Sequence, residues 1–385
     1  MEYDFGTVID RRGTNSLKWD FAEERGKPGG LLPMWVADMD IPAPPEVLSD
    51  LHRAVSHGIF GYTAAKQGYY DVLAAWFSSR FGFSFDRHDV VQTPGTVSAL
   101  AMAVRAFTDE GDGVLIQTPV YYPFYEVIRD NARETVMNPL IYDNGAYYMD
   151  FRDFEQKIAS GNVKLFLLCS PHNPVGRVWT RGELLKIRDI CKAHGVIVMS
   201  DEVHCDFVWG GHSHTCFGTL SDDAVIATAP SKTFNLAGLQ AANIIIKDQA
   251  LRRRMRAECN NAGYSQPNMM GLVACQSAYT HGAEWLAGLK RHLAGNIGFA
   301  QGFLSERLPQ VKLAQPQGTY LLWLDFSSYG LSQQELDGRI TGQAKLWLDS
   351  GTMFGADGKG FERMNIACAR ATLADALSRL EQTFA

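Results

Sequence analysis

The sequence predicts an α/β fold, with a mostly parallel central sheet in a large domain and a smaller α+β domain beside it. Short apolar runs such as "VKLFLLC" and "VIVMS" alternate with helical patterns such as "RGELLKIRDICKAHG". Continuous apolar strands separated by helices are typical of a parallel sheet that is covered on both faces. From residue 286 the pattern changes to one long helix, two strands and a closing helix. We therefore expect a segment 1–46 that joins the small domain, a large domain 47–285 and a small domain 286–385.

The elements of the large domain follow in a regular order. A helical pattern begins at Glu46, and a second helix, "VSALAMAVRAF", follows the turn "TPGT". The predicted strands then end in Pro turns or polar residues: "GVLIQTP", "VKLFLLCSP", "VIVMSDE", "AVIATAPSK" and "AANIIIK". In the small domain, "GTYLLWLDF" and "FERMNIACA" are predicted strands, and "TLADALSRLEQTFA" is the closing helix.

Composition excludes several classes of protein. The net charge of −6, without a dominant basic face, argues against nucleic acid or anionic membranes as partners. Seven scattered cysteines without a CxxC pair, and an N-terminus without the apolar core of a signal peptide, predict a cytoplasmic protein. The pattern "GGHSHTCF" has no second ligand motif, so we expect no metal site.

Polar residues stand at the ends of the predicted strands. Asn173, Asp201 and Lys232 are far apart in sequence, but ligands of open α/β sheets bind where the carboxyl ends of strands meet. A lysine, a carboxylate and a helix N-terminus together match the needs of pyridoxal phosphate. Its aldehyde requires an amine, its ring nitrogen a carboxylate and its phosphate a set of backbone N–H groups. Tyr121 at another strand end offers an aromatic face, and the turn at Gly95 permits close approach of a phosphate.

Each of these residues also has an ordinary structural interpretation. A lysine in a turn is far more often structural than catalytic, an acid after a strand often caps a helix, and "PGT" before a helix is a weak phosphate motif. Their shared position at strand ends of one inferred sheet favours the cofactor interpretation.

The order of "TPGT", "TPVYYPF", "SPHNPVG", "SDEVH", "SKTFNLAG" and "RMNIACAR" resembles the aspartate-aminotransferase-like pyridoxal phosphate enzymes of fold type I, over nearly the whole chain. The segments "LPMWVADMDIPAPPEV" and "FGYTAAKQGYYDVLAAWF" resemble the cystathionine β-lyase/cystalysin branch, which contains carbon–sulfur lyases. This resemblance implies Lys232 as the catalytic Schiff-base lysine and Asp201 as the partner of the ring nitrogen. It implies a cofactor site of Gly95, Thr96, Val97, Tyr121, Asn173, Asp201, His204, Ser231, Lys232 and, from the neighbouring subunit of a homodimer, Tyr62. It implies a substrate site in which Arg370 holds the α-carboxylate together with Asn173 and Tyr121.

Two positions depart from the aminotransferase pattern and favour the lyase branch. His204 stands where aminotransferases have a tyrosine, and Gln240 stands where they have a phosphate-binding arginine. The expected activity is therefore elimination from cystathionine or a related cysteine thioether, giving a thiol, pyruvate and ammonia. An aminotransferase acting on amino acids is the alternative, and a regulatory binding module is a weaker one.

Overall fold

The computed structural model describes residues 3–385. Its α-helices share the surface with irregular loops and have these bounds: α1 Pro45–His57, α2 Gln67–Phe81, α3 Thr96–Phe107, α4 Pro123–Arg129, α5 Phe151–Ala159, α6 Arg181–Ala193, α7 Pro230–Thr233, α8 Gln249–Asn261, α9 Met269–His281, α10 Ala283–Arg307, α11 Gln333–Gly342 and α12 Arg370–Phe384.

The strands are mostly short and have these bounds: β1 Leu32–Pro33, β2 Val90–Thr93, β3 Gly113–Thr118, β4 Glu134–Pro139, β5 Ile141–Asp143, β6 Ala146–Tyr148, β7 Val163–Cys169, β8 Ile197–Asp201, β9 Val225–Thr228, β10 Ala242–Ile246, β11 Lys312–Leu313, β12 Leu321–Asp325, β13 Leu346–Trp347, β14 Asp349–Ser350 and β15 Phe361–Asn365.

The central sheet has seven strands in the order β2-β10-β9-β8-β7-β3-β4. Strands β9, β8, β7, β3 and β4 pair in parallel, whereas β10 is antiparallel to both β9 and β2. The predicted α/β fold with a mostly parallel sheet is confirmed. The strand order brings the carboxyl ends of β7, β8 and β9 side by side, which is where the site lies.

Both faces of this sheet are buried. Successive side chains of a strand point to opposite faces, so each strand contributes side chains to two cores. On one face, Ile116 and Leu167 pack in a core that includes Leu100 of α3. On the other face, Leu115 and Phe166 pack in a core that includes Ile187 of α6. Burying one such side chain stabilises the fold by about 2 kcal/mol. This double coverage explains why the strands read as continuous apolar runs.

A smaller sheet, in the order β11-β12-β15-β14, lies in the C-terminal part of the chain. The N-terminal segment joins this part: Leu32 of β1 pairs in parallel with Leu346 of β13, and Trp35 stacks on Trp347 with ring centroids 4.2 Å apart. The domain boundaries at residues 46 and 285 remain a prediction.

The end of strand β9 differs from the sequence-based expectation. Strand β9 ends at Thr228 rather than at Lys232, because Pro230 fits the first turn of a helix and starts α7. Lys232 therefore projects from a short helix that follows the strand. Within residues 3–385, no helix combines the length and the apolar character needed to cross a membrane.

Candidate active site

A cavity of about 200 Å³ lies at the carboxyl ends of the central strands. Asp201 is the last residue of β8, Asn173 follows β7, and Lys232 projects from α7. The structure brings nine of the residues proposed from the sequence to the lining of this cavity: Gly95, Thr96, Val97, Tyr121, Asn173, Asp201, His204, Ser231 and Lys232.

The amine of Lys232 is held inside the cavity by a backbone contact. Its Nζ donates a hydrogen bond to the carbonyl oxygen of Ala37 at 2.8 Å. Burial lowers the pKa of Lys232 to about 8; the nearby charge of Asp38 opposes this shift, and that of Arg363 adds to it. A neutral amine is the form that attacks an aldehyde or accepts a proton. The site therefore offers a usable amine close to neutral pH.

The Asp201 carboxyl is almost fully buried, with 6% of its surface exposed. Its only hydrogen bond within residues 3–385 comes from the backbone N–H of Val203, at 3.2 Å to Oδ1. Burial raises the pKa of Asp201 to about 6, while the charge of Lys232 acts in the opposite direction. A cationic ring N–H placed against this carboxyl would favour its ionised form. Asp201 thus has room for one more strong donor.

The N-terminus of α3 forms the opposite wall. Gly95 precedes the helix with φ of +103°, a conformation that side-chain-bearing residues rarely adopt. In the part of the chain that the structure describes, no side chain caps the helix there. The first N–H groups of a helix have no partner within the helix, so they bind anions well. Gln240 also lines this wall, and its Oε1 would lie 3.5 Å from a Cβ at position 95.

His204 contributes an unusual polar group to the cavity. Its Nδ1 is buried and has no hydrogen-bond partner within residues 3–385. Burial lowers the pKa of His204 well below its ordinary value, and the charge of Lys232 lowers it further. The ring, which lines the cavity, is therefore neutral.

The structure corrects the expectation for Arg370, which does not line the cavity. Arg370 begins α12, where its Nε donates to Asn296 Oδ1 at 2.7 Å and its guanidinium lies 4.7 Å from the centre of the Phe299 ring. These contacts direct the side chain towards α10.

The arginine beside the cavity is Arg363, on β15. It is 2% exposed, and its Nη1 donates to Asn173 Oδ1 at 2.9 Å. Its Nη2 forms an ion pair with Asp349, and its Nε has no partner within residues 3–385. The sequence interpretation missed Arg363, although it stands in the same quoted motif, "RMNIACAR", seven residues before Arg370.

Tyr62 lies outside the cavity of its own chain. Its side chain is 96% exposed, on the loop between α1 and α2. It borders an open groove that also includes Pro94 and Gln240, next to the N-terminus of α3. Its expected role towards a neighbouring subunit remains a proposal.

The lining residues fit pyridoxal phosphate. Among residues 3–385, the cavity provides an amine with a lowered pKa, a buried carboxyl with one hydrogen-bond donor and a helix N-terminus without a side-chain cap. These groups match the aldehyde, the ring nitrogen and the phosphate of that cofactor.

Comparison with known families decides the affiliation. The sequence profile described as "Aminotransferase class I and II" matches residues 41–380. The chain belongs to the class I and II aminotransferase family. The predicted resemblance to this superfamily is confirmed.

Within the class I and II family, the chain is similar to several carbon–sulfur lyases. The chain is 45% identical to cystathionine β-lyase PatB of Bacillus subtilis, over 97% of both chains. Its fold matches cystalysin of Treponema denticola, with a TM-score of 0.95, 36% identity, and coverage of 100% and 99% of the two chains. It also matches a C–S lyase of Staphylococcus hominis, with a TM-score of 0.93, 33% identity, and coverage of 100% and 98%. Both solved structures contain pyridoxal phosphate, which confirms the predicted cofactor class.

Proposed function

We propose that the protein is a pyridoxal phosphate-dependent β-C–S lyase that cleaves cystathionine or a related cysteine thioether. One thioether and one water give one thiol, one pyruvate and one ammonia. The observation that carries this proposal is the shared cavity of Lys232 and Asp201, with Arg363 bonded to Asn173 at its edge, in a chain so similar to a cystathionine β-lyase.

When bound, pyridoxal phosphate supplies an electron sink for the pair that remains when the Cα proton leaves. Asp201 keeps the ring nitrogen protonated, and the N-terminus of α3 binds the phosphate. Arg363 and Asn173 hold the substrate α-carboxylate, for which a guanidinium supplies paired N–H donors. Lys232, as a neutral amine, accepts the Cα proton. The Cβ–S bond then breaks: its electron pair leaves with the sulfur as thiolate, the pair from Cα forms a Cα=Cβ bond, and one water hydrolyses the enamine product to pyruvate and ammonia.

The test is a substrate panel with the holoenzyme, in which both pyruvate release and keto-acid-dependent amino transfer are measured. The proposal predicts pyruvate and a free thiol from cystathionine or S-alkyl cysteines. Amino transfer without pyruvate from any thioether would contradict it and identify the alternative, an aminotransferase. A Lys232→Ala variant should lose both activities and the visible absorbance of the lysine-bound cofactor, whereas Lys192→Ala, at an exposed position on α6, should keep them.

We further propose that the enzyme is a cytoplasmic homodimer. An exposed apolar patch on α1 and the following loop, formed by Val55, Ile59, Phe60 and Tyr62, favours a second copy as its partner. Tyr62 would then reach the phosphate of the neighbouring subunit. All seven cysteines are buried free thiols, as is usual for proteins of a reducing compartment.

A further inference from the structure

Two hydrogen-bond donors meet on one backbone oxygen at the edge of the cavity. Lys232 Nζ donates to the carbonyl oxygen of Ala37 at 2.8 Å, and Tyr320 Oη donates to the same oxygen at 2.9 Å. Tyr320 is fully buried, whereas Ala37 lines the cavity. We propose that the Ala37 carbonyl is the docking point for the free amine of Lys232, and that Tyr320 is a positioning residue that holds this carbonyl. The inference rests on the proposed role of Lys232 as the base.

The backbone around Ala37 is fixed on both sides. Asn235, three residues after Lys232, accepts from the N–H of Met39 at 3.0 Å and donates to the carbonyls of Met39 and Ile41 at 2.9 and 2.8 Å. Asn365 donates to the carbonyls of Val36 and Asp38. With its neighbours bound in this way, the Ala37 carbonyl presents a fixed acceptor to the amine.

Tyr320 is fixed as well. Its ring packs edge-on against Phe207 and His204, with centroids 5.0 and 5.9 Å away. A buried tyrosine hydroxyl requires an acceptor, but many carbonyls would serve. Tyr320 donates to the same carbonyl oxygen that accepts from Lys232, and this shared acceptor links the tyrosine to the amine.

Sharing the carbonyl has an electrostatic consequence. A carbonyl oxygen has two lone pairs. A hydrogen bond accepted by one lone pair weakens the hydrogen bond that the other lone pair can accept. The charges of Asp38 and Asp201 favour the ammonium form of Lys232, that of Arg363 favours the neutral amine, and His204 is neutral. Like Arg363, Tyr320 favours the neutral amine of Lys232, because its hydrogen bond to the carbonyl reduces the stabilisation of the ammonium form.

The test uses the cofactor-free full chain and pyridoxal phosphate as the probe. Imine formation with Lys232 is followed by visible absorbance from pH 6 to pH 10. In Tyr320→Phe, the carbonyl accepts a hydrogen bond only from the Lys232 ammonium. The pH midpoint of imine formation should therefore move upward by about half a pH unit or more. An unchanged or lowered midpoint would overturn the proposal. Capture does not require any lyase reaction, so this result is independent of the proposed activity.

The holoenzyme provides the second readout. With a thioether substrate, Tyr320→Phe should lower kcat at neutral pH by about threefold or more and recover at alkaline pH, where the amine is neutral in both proteins. The KM should stay close to the wild-type value, since Arg363 and Asn173 are unchanged. A fall in kcat that is the same at every pH would contradict the proposal and indicate a merely structural role.

Tyr329→Phe is the matched control. It removes a tyrosine hydroxyl that also donates to a backbone carbonyl, that of Phe384 at 2.9 Å, in the C-terminal part of the chain. Its capture midpoint and pH profile should equal those of the wild type. Urea unfolding of both variants shows whether either change acts through loss of folded protein.

Discussion

The guanidinium of Arg363 donates to the Asn173 side chain at 2.9 Å, across 190 residues of sequence. This bond joins the smaller C-terminal sheet to the loop after β7 of the central sheet. The two arginines of one motif thus have different partners, since Arg370 binds Asn296 instead.

Substitution of these two arginines distinguishes their roles. Arg363→Lys keeps the positive charge but loses the paired N–H donors, so KM for amino acid substrates should rise by about tenfold or more. Arg370→Lys should leave KM near the wild-type value. Steady-state kinetics with one thioether measures both, and the absorbance of the bound cofactor confirms that each variant is folded. Equal effects of the two substitutions, or a larger effect of Arg370→Lys, would show that Arg363 does not bind the carboxylate.

A buried ion pair lies in the N-terminal segment. Lys18 is 1% exposed and its Nζ lies 2.8 Å from Asp40 Oδ2, while Arg11 also pairs with Asp40 at 2.8 Å. Burial opposes ionisation of Asp40, but Lys18, Trp19 and Arg11 outweigh it, so the pKa of Asp40 is lowered. Lys18→Met leaves this carboxylate short of one cation and should reduce the free energy of unfolding by about 3 kcal/mol at pH 7.

The pH dependence gives this prediction its sign. A carboxyl whose pKa is depressed by folding adds stability above its unfolded pKa, near 4, and loses it as the pH falls through the folded value. The difference between wild type and Lys18→Met should therefore shrink in acid, as measured by urea unfolding at several pH values. Lys192→Met, at an exposed position, is the control. A difference that does not change with pH would exclude Asp40 as its origin.

Tyr62 tests the proposed sharing of the site between subunits. If its hydroxyl binds the phosphate of a neighbouring chain, Tyr62→Phe should weaken pyridoxal phosphate binding by about tenfold or more, the usual effect of one hydrogen bond to a charged group. Tyr148→Phe, at another exposed tyrosine, should have no effect. Equilibrium titration with the cofactor measures both, and sedimentation reports the assembly state. A fully active monomer would contradict the proposal.

The sequence predicted the fold because the strands of a doubly covered sheet are continuous apolar runs. Strand direction is not encoded in such a run, so the antiparallel course of β10 could not be read from "AANIIIK". Lys232, Asp201 and Asn173 were predicted together because the carboxyl ends of neighbouring parallel strands meet at one edge.

The rest of the site depends on contacts between distant parts of the chain. Arg363 and Arg370 flank the same motif, and only the packing of α12 against α10 decides which one reaches the cavity. Ala37 and Lys18 lie in an irregular segment, which has no helical or strand periodicity from which their positions could be predicted. Their roles follow from bonds to residues that are far away in sequence.

The pairing of the N-terminal segment has a mechanical consequence. Residues 32–38 are bonded to β13 and β15 through Leu346, Asn365 and Arg363. The acceptor of the Lys232 amine and the guanidinium proposed to hold the substrate carboxylate therefore belong to one connected body. The smaller sheet therefore sets the distance between these two contact points, while Asn235 and Asn173 tie the same segment and the same guanidinium to the central sheet.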